Sequence, residues 1–527
     1  MAGFPSPVFI LKIPAGIQRD GTTFSAREFI DGLWTRFYRG LPQKMGGYSE
    51  LTNAAIGVSF PNVPRGTFVL PSTPNFNVYI GDFQSLKYFQ IDSTGLLLSG
   101  LIDRTPVLFA SNPYNEWTFD VMFSDSAASS ILLAQAAPNL FGIDQTIEAT
   151  IYYGDSMANT PLISTGQQSN GGFVVLHPFL FFFGSSGQIS WSNAGDPTTV
   201  MGTANVTGSK IVYGLAVRGG TSSPAGLFWS LDSVIRVTNV GTTTVDFNFD
   251  TVTGQSSILS SNSIIEYDGI YYWAGIDRFL LYNGSVSELP NSMCLQFFFQ
   301  NLNYNQRQKV WATKYTKYGE IWWWFPALNA TECNYAVVYN VRERCWYSTA
   351  LTLTNGVVPT GGRSSGYFDQ TFTLPIWTDN VPDVSGNYPV WRHEVPKFFD
   401  KLSNVNTGGM NVPTVTPITA FVESSNLAWC AYGPEGQRNN LEKTVDLERF
   451  EPDFIQSGNL SLIVRGKQYA NSNAVDSTPY VFNNTTEKID MREQRREMTL
   501  KFICTDIGDN FQMGQPLITM RPGDTRP

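Results

Sequence analysis

The run Ser263-Ile264-Ile265-Glu266-Tyr267-Asp268-Gly269-Ile270-Tyr271-Tyr272-Trp273-Ala274-Gly275-Ile276-Asp277-Arg278-Phe279-Leu280-Leu281-Tyr282-Asn283-Gly284-Ser285-Val286-Ser287-Glu288-Leu289 decides the fold class. Apolar runs at 264–267 and 270–273 flank Asp268-Gly269. A two-residue hairpin turn of type I′ needs positive φ at both central positions, and Asp-Gly supplies it at little cost. A second turn at Gly275-Ile276-Asp277 leads into 279–282, and Asn283-Gly284 turns the chain again into 285–289. The spacing predicts four short antiparallel strands in one meander, the unit of a β-propeller blade.

Weaker copies of this pattern recur on both sides. Strand-like runs at 310–313, 320–325, 335–339 and 344–347 are separated by turn residues at Tyr318-Gly319 and 340–343. Upstream, 172–176, 179–183 and 188–192 are split by Pro178 and 184–187, and 227–230 and 234–240 follow. Nearer the start lie 67–70, 77–80, 86–91, 120–123 and 131–135. Meanders about 40–50 residues apart match propeller periods. Residues 61–400 are therefore expected to form a β-propeller of roughly six to eight blades, a length that leaves room for an inserted tip. The aromatic runs 181–183, 297–299 and 322–324 read as strands buried on both faces rather than as sugar-binding platforms.

Composition agrees with an all-β class. The chain has 527 residues, enough for two or three domains. Charged residues are 15% and aromatics 14%, with 46 Gly and 30 Pro. Long helices draw on Glu and Lys, which are scarce here, whereas aromatic and β-branched residues fit pleated surfaces and Gly and Pro make turns. A formal net charge of −9 argues against an ordinary DNA-binding surface, which needs clustered Lys and Arg. Residues 1–60 read as an N-terminal arm that contributes to a platform, and 401–527 as a C-terminal β-rich platform domain. Within the latter, 460–464 and 498–503 look like strands, with Gly466 and Gly508 at turns. Mixed charge at Asp490, Arg492, Glu493, Arg495, Arg496 and Glu497 predicts a salt-bridged face turned to solvent or to another subunit. One short helix is expected at 25–38, with Ser25 as cap and Glu28 three residues on, ending at Gly40-Leu41-Pro42.

No residue pattern points to chemistry. The only two histidines, His177 and His393, cannot build a multi-histidine metal centre. His177, before Pro178 in an apolar stretch, reads as a core residue, and His393 as a surface contact. Phosphate-binding, nucleophile-elbow, zinc-protease and calcium-loop motifs are all missing. Gly171-Gly172 and Gly219-Gly220 lack the strand–glycine–helix setting of a phosphate cradle, and acid pairs such as Asp246 and Asp250 say nothing in a chain with 44 acidic residues. No catalytic, metal-ligating or cofactor-binding residue is therefore expected, no cofactor is expected, and the chain is expected not to be an enzyme. Cys294, Cys333, Cys345, Cys430 and Cys504 lack metal or redox spacing and read as reduced, buried residues of a protein made in a cytoplasm. Residues 1–13 lack the features of an export signal, and the most apolar run, 173–183, is about half of the roughly 20 residues that a membrane span needs.

Several stretches resemble one family. They are Ile13-Pro14-Ala15-Gly16, Trp34-Thr35-Arg36 and Gly40-Leu41-Pro42-Gln43-Lys44-Met45-Gly46-Gly47-Tyr48 near the start. In the middle are the 264–273 run, Asn305-Gln306-Arg307-Gln308-Lys309-Val310-Trp311, Gly319-Glu320-Ile321-Trp322-Trp323 and residues 337–346, and near the end Gln512-Met513-Gly514. Together these are similar to the tail nozzle, or tail hub, family of short-tailed phages, which includes the packaged-DNA stabilisation proteins of P22-like podoviruses. The resemblance implies a virion component in the phage tail, assembled in the host cytoplasm as a homo-hexameric ring. It implies partners in the adaptor (head-to-tail connector) protein and in tail fibres or tailspikes, and the non-specific passage of genomic DNA, retained until ejection. The platform is expected to dock on the adaptor, and the wheel of blades to surround a hole that passes a polymer. Acidity suits a conduit, because a negative wall does not capture a polyanion. The DNA-lining residues stay unknown at this level. The alternative is a carbohydrate-binding or depolymerising tail fibre or spike, for which the short regular repeats of a β-helix are missing; a bacterial propeller adhesin or hydrolase would call for an export signal.

Overall fold

Asp268 and Gly269 both have positive φ, 50° and 80°, so the turn at the centre of the quoted run forms as expected. It joins Ile265–Tyr267 to Ile270–Ala274, and Phe279–Tyr282 and Val286–Glu288 complete an antiparallel four-stranded sheet. The structure, a computed structural model, describes residues 7–525 apart from 24, 53–55, 73, 124–129, 139–146, 218–224, 242–245, 355–357, 369–373, 408–409, 428–442 and 470.

Six four-stranded meanders follow one another, at residues 67–103, 115–169, 172–205, 211–253, 265–288 and 311–349. A seventh sheet takes three strands from Arg363–Tyr367, Ile376–Asp379 and Tyr388–His393, and its fourth, Tyr48–Glu50, from the N-terminal region. Arg363–Tyr367 lies against both Trp311–Tyr315 and Thr67–Ser72, which closes the ring. The protein is an all-β, seven-bladed β-propeller. Its blade faces bury the aromatic strands Phe179–Phe183 and Glu320–Phe325; Trp322, Trp323 and Trp324 have almost no exposed surface. Burying such side chains on both faces of a strand supplies much of the hydrophobic stabilisation.

Beside the propeller stands a platform made from both ends of the chain. Val8–Ile10 pairs with Leu517–Thr525, which continues into Lys443–Glu451 and Ile489–Arg495. Asp31–Leu33 pairs with Ala420–Glu423, followed by Glu497–Cys504 and Leu460–Lys467. Leu41–Lys44, hairpinned to Thr35–Tyr38, pairs with Asn510–Met513 and through it with Phe454–Ser457. Leu460–Lys467 and Glu497–Cys504 alternate buried and half-buried residues, the pattern of strands with one face on a core. That core, including Phe450, Phe502 and Met520, is continuous with Trp34, Trp323 and Trp346 of the arm and blade six.

Four expectations are corrected. No helix forms at 25–38; the segment holds Asp31–Leu33 and Thr35–Tyr38, and Arg39 and Gly40, with φ of 53° and 75°, make a two-residue hairpin turn. Conversely, Phe297–Phe299 is not strand but part of the helix Leu295–Asn301, with only Phe298 fully buried. The Asp20 carboxylate caps that helix, accepting from the backbone N–H of Gln296 (2.9 Å) and Phe297 (2.7 Å). Gly466 lies within a strand, while Gly508, at φ 81°, does sit in a turn. The hairpin Lys401–Thr407 and Met410–Thr416 extends the sheet of blade seven, pairing in parallel with Tyr48–Glu50. Cys294, Cys333, Cys345 and Cys504 are free and buried, whereas Cys430 and Gly219-Gly220 lie outside the described residues.

Candidate functional site

Two places concentrate polar side chains against the apolar background: the joint between platform and propeller, and the mouth of the axial channel.

At the joint, Arg36 is buried and meets two carboxylates. Its Nε donates to Glu320 at 2.7 Å, and its Nη1 and Nη2 donate to Glu394 at 2.9 and 2.5 Å. Glu320, with no exposed surface, also accepts from Tyr347 Oη (2.6 Å) and Trp322 Nε1 (3.1 Å). The guanidinium lies 3.9 Å from the centre of the Tyr318 ring. Burial alone would lower the Arg36 pKa, but the charges of Glu320 and Glu394 outweigh it and hold the pKa well above the ordinary value. Gly46 and Gly47 fit against this group with no room for a side chain. A Cβ on Gly46 would stand 2.5 Å from a Glu394 oxygen, and one on Gly47 2.3 Å from the Asp400 carbonyl oxygen.

Next to it, Tyr48 seats the borrowed strand of blade seven. Its ring stacks on His393 at 4.8 Å and meets Trp391 edge-on at 5.1 Å. Arg363 Nε donates to His393 Nε2 at 3.0 Å, so that nitrogen carries no proton. His393 is fully buried, and burial first, then the Arg363 charge, push its pKa well below the usual histidine range. The expected roles of the two histidines are thus exchanged. His393 is core, and His177 is exposed at the turn between Gly172–Leu176 and Phe179–Phe183, edge-on to Phe123. Burial also pushes the Cys294 thiol up to about 12 and that of Cys504 to about 11.

A cavity of about 420 Å³ is lined by inner-strand residues of the blades, among them Phe68, Phe119, Tyr213 and Tyr367. Phe68 stacks on Phe119 at 5.9 Å and meets Tyr367 edge-on at 5.8 Å. The hole that the wheel of blades is expected to surround is, within one subunit, this aromatic-lined cavity. In the channel wall Asp120 accepts from the backbone N–H of Val121 and of Val175, both at 2.8 Å, and so clips blade two to blade three. Burial pushes its carboxyl up to about 6.

At the channel mouth, Arg65 and Lys309 both pair with Glu332, at 2.5 and 2.7 Å. Glu116 accepts from Asn262 at 2.8 Å on the same rim. Sequence reading singled out none of these except Lys309, as part of a family-like stretch; their convergence comes from three different blade entries. Gly171 lets backbones approach closely, since a Cβ there would stand 2.0 Å from the Ile211 carbonyl oxygen. The charged 487–501 segment pairs largely within the platform, with Arg449 and Lys488 both on Asp490 and Arg495 on Glu493. Among the described residues no group of three or more side chains could hold a metal ion, and no helix is long and apolar enough to cross a membrane.

No protein-family model matches the chain, and no curated protein matches it in sequence. Solved structures with a similar fold include Raptor from Chaetomium thermophilum, at 9% identity and TM-score 0.41, covering 67% of this chain and 29% of that one. An ancestral GH74 enzyme has 10% identity and TM-score 0.39, over 68% of this chain and 50% of its own. An exo-β-1,3-galactanase from Phanerochaete chrysosporium has 9% identity and TM-score 0.28, over 90% of this chain and 100% of its own. The chain thus spans less than a third of Raptor and half of the GH74 enzyme. The expectation that this chain is not an enzyme does not stand, since glycoside hydrolases are among its structural neighbours. At this identity and TM-score neither of them assigns a reaction, a substrate or a residue here.

Proposed function

We propose that the chain is a tail-nozzle subunit of a short-tailed phage. In this reading six copies form a ring beneath the portal and adaptor, continue the DNA channel, retain the packaged genome and conduct it at ejection. The observation that carries the reading is spatial. The stretches on which the family resemblance rests are scattered over the sequence, yet most of them meet at one joint. Trp34 Nε1 donates to Gly46 O; Arg36 binds Glu320; Trp323 stacks on Trp346 at 5.7 Å; and Gln43 pairs with Gln512. A joint made of shared sequence wording is what a family needs to hold one platform at a fixed angle to one propeller. Supporting this, the platform exposes Ile455 (74%), Val475 (63%), Val481 (62%) and Ile507 (61%), apolar surface that neighbouring subunits or the adaptor would cover.

The test is the native mass of the purified chain, alone and with the cognate adaptor. A species at six times 58.6 kDa, imaged as a ring with a central opening, is the expected result. A monomer that stays monomeric with adaptor present would remove the proposal.

A further inference from the structure

Asp120 is a carboxylate set in the wall of the axial cavity with no cation beside it. It stands on the strand Asn115–Phe123 of blade two, lines the cavity of about 420 Å³ and keeps part of its surface accessible. Oδ1 accepts from the Val121 N–H and Oδ2 from the Val175 N–H, which leaves each oxygen a further lone pair. Burial raises its carboxyl pKa, and only these two hydrogen bonds oppose the rise; no Lys or Arg charge helps to hold the anion. Arg65 and Lys309, which reach the same cavity at its mouth, are turned to Glu332 instead.

Much of the surrounding wall is aromatic and comes from four blades. Phe68, Phe119 and Tyr367, of blades one, two and seven, form one group of touching rings. Tyr213 of blade four completes the set; its phenol pKa is raised to about 12 by burial and then by the charge of Asp120. All four rings are partly exposed, as the lining of a cavity must be. The volume lies within the range of about 300–1,000 Å³ usual for small-ligand sites.

These walls discriminate by charge. A neutral apolar ligand would strip water from Asp120 and give it no partner, and an anion would be repelled. A metal ion needs several oxygen or nitrogen ligands, and no group able to hold one exists among the described residues. An organic cation satisfies both parts, its charge against the carboxylate and its alkyl groups against the rings, which also attract cations. A primary ammonium brings three N–H donors that rings satisfy poorly, whereas methyl groups on nitrogen need no acceptor.

We propose that the axial cavity binds a small quaternary ammonium ion, with Asp120 as counter-ion and Phe68, Phe119, Tyr213 and Tyr367 as its aromatic enclosure. The inference goes beyond the tail-nozzle reading and does not depend on it.

Calorimetry and saturation-transfer NMR on the full chain at pH 8 test it with three probes: choline, its neutral isostere 3,3-dimethylbutan-1-ol, and the anion 3,3-dimethylbutyrate. Choline should bind at least about tenfold more tightly than the isostere, and the anion should not bind. Asp120→Asn should abolish that preference, and Phe68→Leu should weaken choline binding by about threefold or more. Tyr469→Ala, an exposed ring on the platform, should change nothing. Because Asp120 also joins blades two and three, Asp120→Asn is judged beside its melting temperature; if the fold suffers, the charge preference of the parent and Phe68→Leu decide. Absence of choline binding, equal binding of the isostere, or binding untouched by Phe68→Leu overturns the proposal. The ring mass of the parent reports separately on the nozzle reading.

Discussion

Replacing Arg36 by Ala would leave Glu320 and Glu394 facing each other at the joint without their cation. Breaking a buried ion pair by removing one partner costs about 3–5 kcal/mol, because the remaining charge is neither solvated nor paired. Arg36 belongs in that class rather than with surface pairs, since it and Glu320 have side-chain exposures of 1% and 0%. At about 1.4 kcal/mol per decade, the local opening equilibrium should rise by roughly 10²–10⁴-fold. The effect should be confined to the joint. Hydrogen exchange followed by mass spectrometry should show lost protection at Asp31–Leu33, Thr35–Tyr38 and Glu320–Phe325, while Phe179–Phe183 in blade three keeps its protection. Adding Glu320→Gln to Arg36→Ala removes one of the stranded charges and should recover part of the loss. If protection at the joint drops less than threefold in Arg36→Ala, the pair contributes no more than an exposed ion pair and does not hold the joint.

Three further outcomes are expected. His393 stays neutral in the fold, so its contribution is present above the unfolded pKa of about 6.5 and is lost as pH falls below it, where only the unfolded chain takes up the proton. Denaturant midpoints between pH 6.5 and 5 should therefore fall more steeply in the parent than in His393→Asn, by up to about 2 kcal/mol over that window; equal slopes would count against a buried neutral histidine. Gly47→Ala drives a Cβ into the Asp400 backbone, which cannot move aside as a flexible side chain could, and should cost about 3 kcal/mol or abolish soluble expression, read by melting temperature and yield. If the chain forms the proposed ring, acidic side chains should outnumber basic ones on its channel-facing surface; a reconstruction with a net-basic lumen would refute the conduit argument.

How much of this was readable in advance follows from where the determining contacts lie. The 263–289 meander was legible because Asp268-Gly269 and Asn283-Gly284 carry their turn geometry locally. Arg39-Gly40 makes the same kind of turn, but the Ser25/Glu28 capping signal drew attention to a helix; the aromatic and β-branched residues of Thr35–Tyr38 and their partner strand favour the sheet. The helix over Phe297–Phe299 was hidden because its cap, Asp20, lies 277 residues away. His393 could not be recognised as core, since Tyr48 and Arg363, which enclose it, come from another chain region and another strand of blade seven. His177 faces solvent because a hairpin turns there, and the apolar residues around it concealed that. The channel-mouth group was illegible for the same reason as His393: Arg65, Glu116, Lys309 and Glu332 become neighbours only once the ring closes.

The borrowed strand of blade seven also sets an order of events during synthesis. Ser49 leaves the ribosome early and must wait for Arg392, 343 residues later, before its sheet can form. Joining ends that far apart in a flexible chain carries an entropic cost of about 5 kcal/mol beyond a constant term. Thr35–Tyr38 and Leu41–Lys44 can form their hairpin at once, but Val8–Ile10 and Tyr48–Glu50 remain unpaired through most of translation, so some of the earliest residues made are among the last to find their place. A chain cut between two blades could accordingly be rebuilt from separate fragments, since the closing strand already reaches its sheet from a distance.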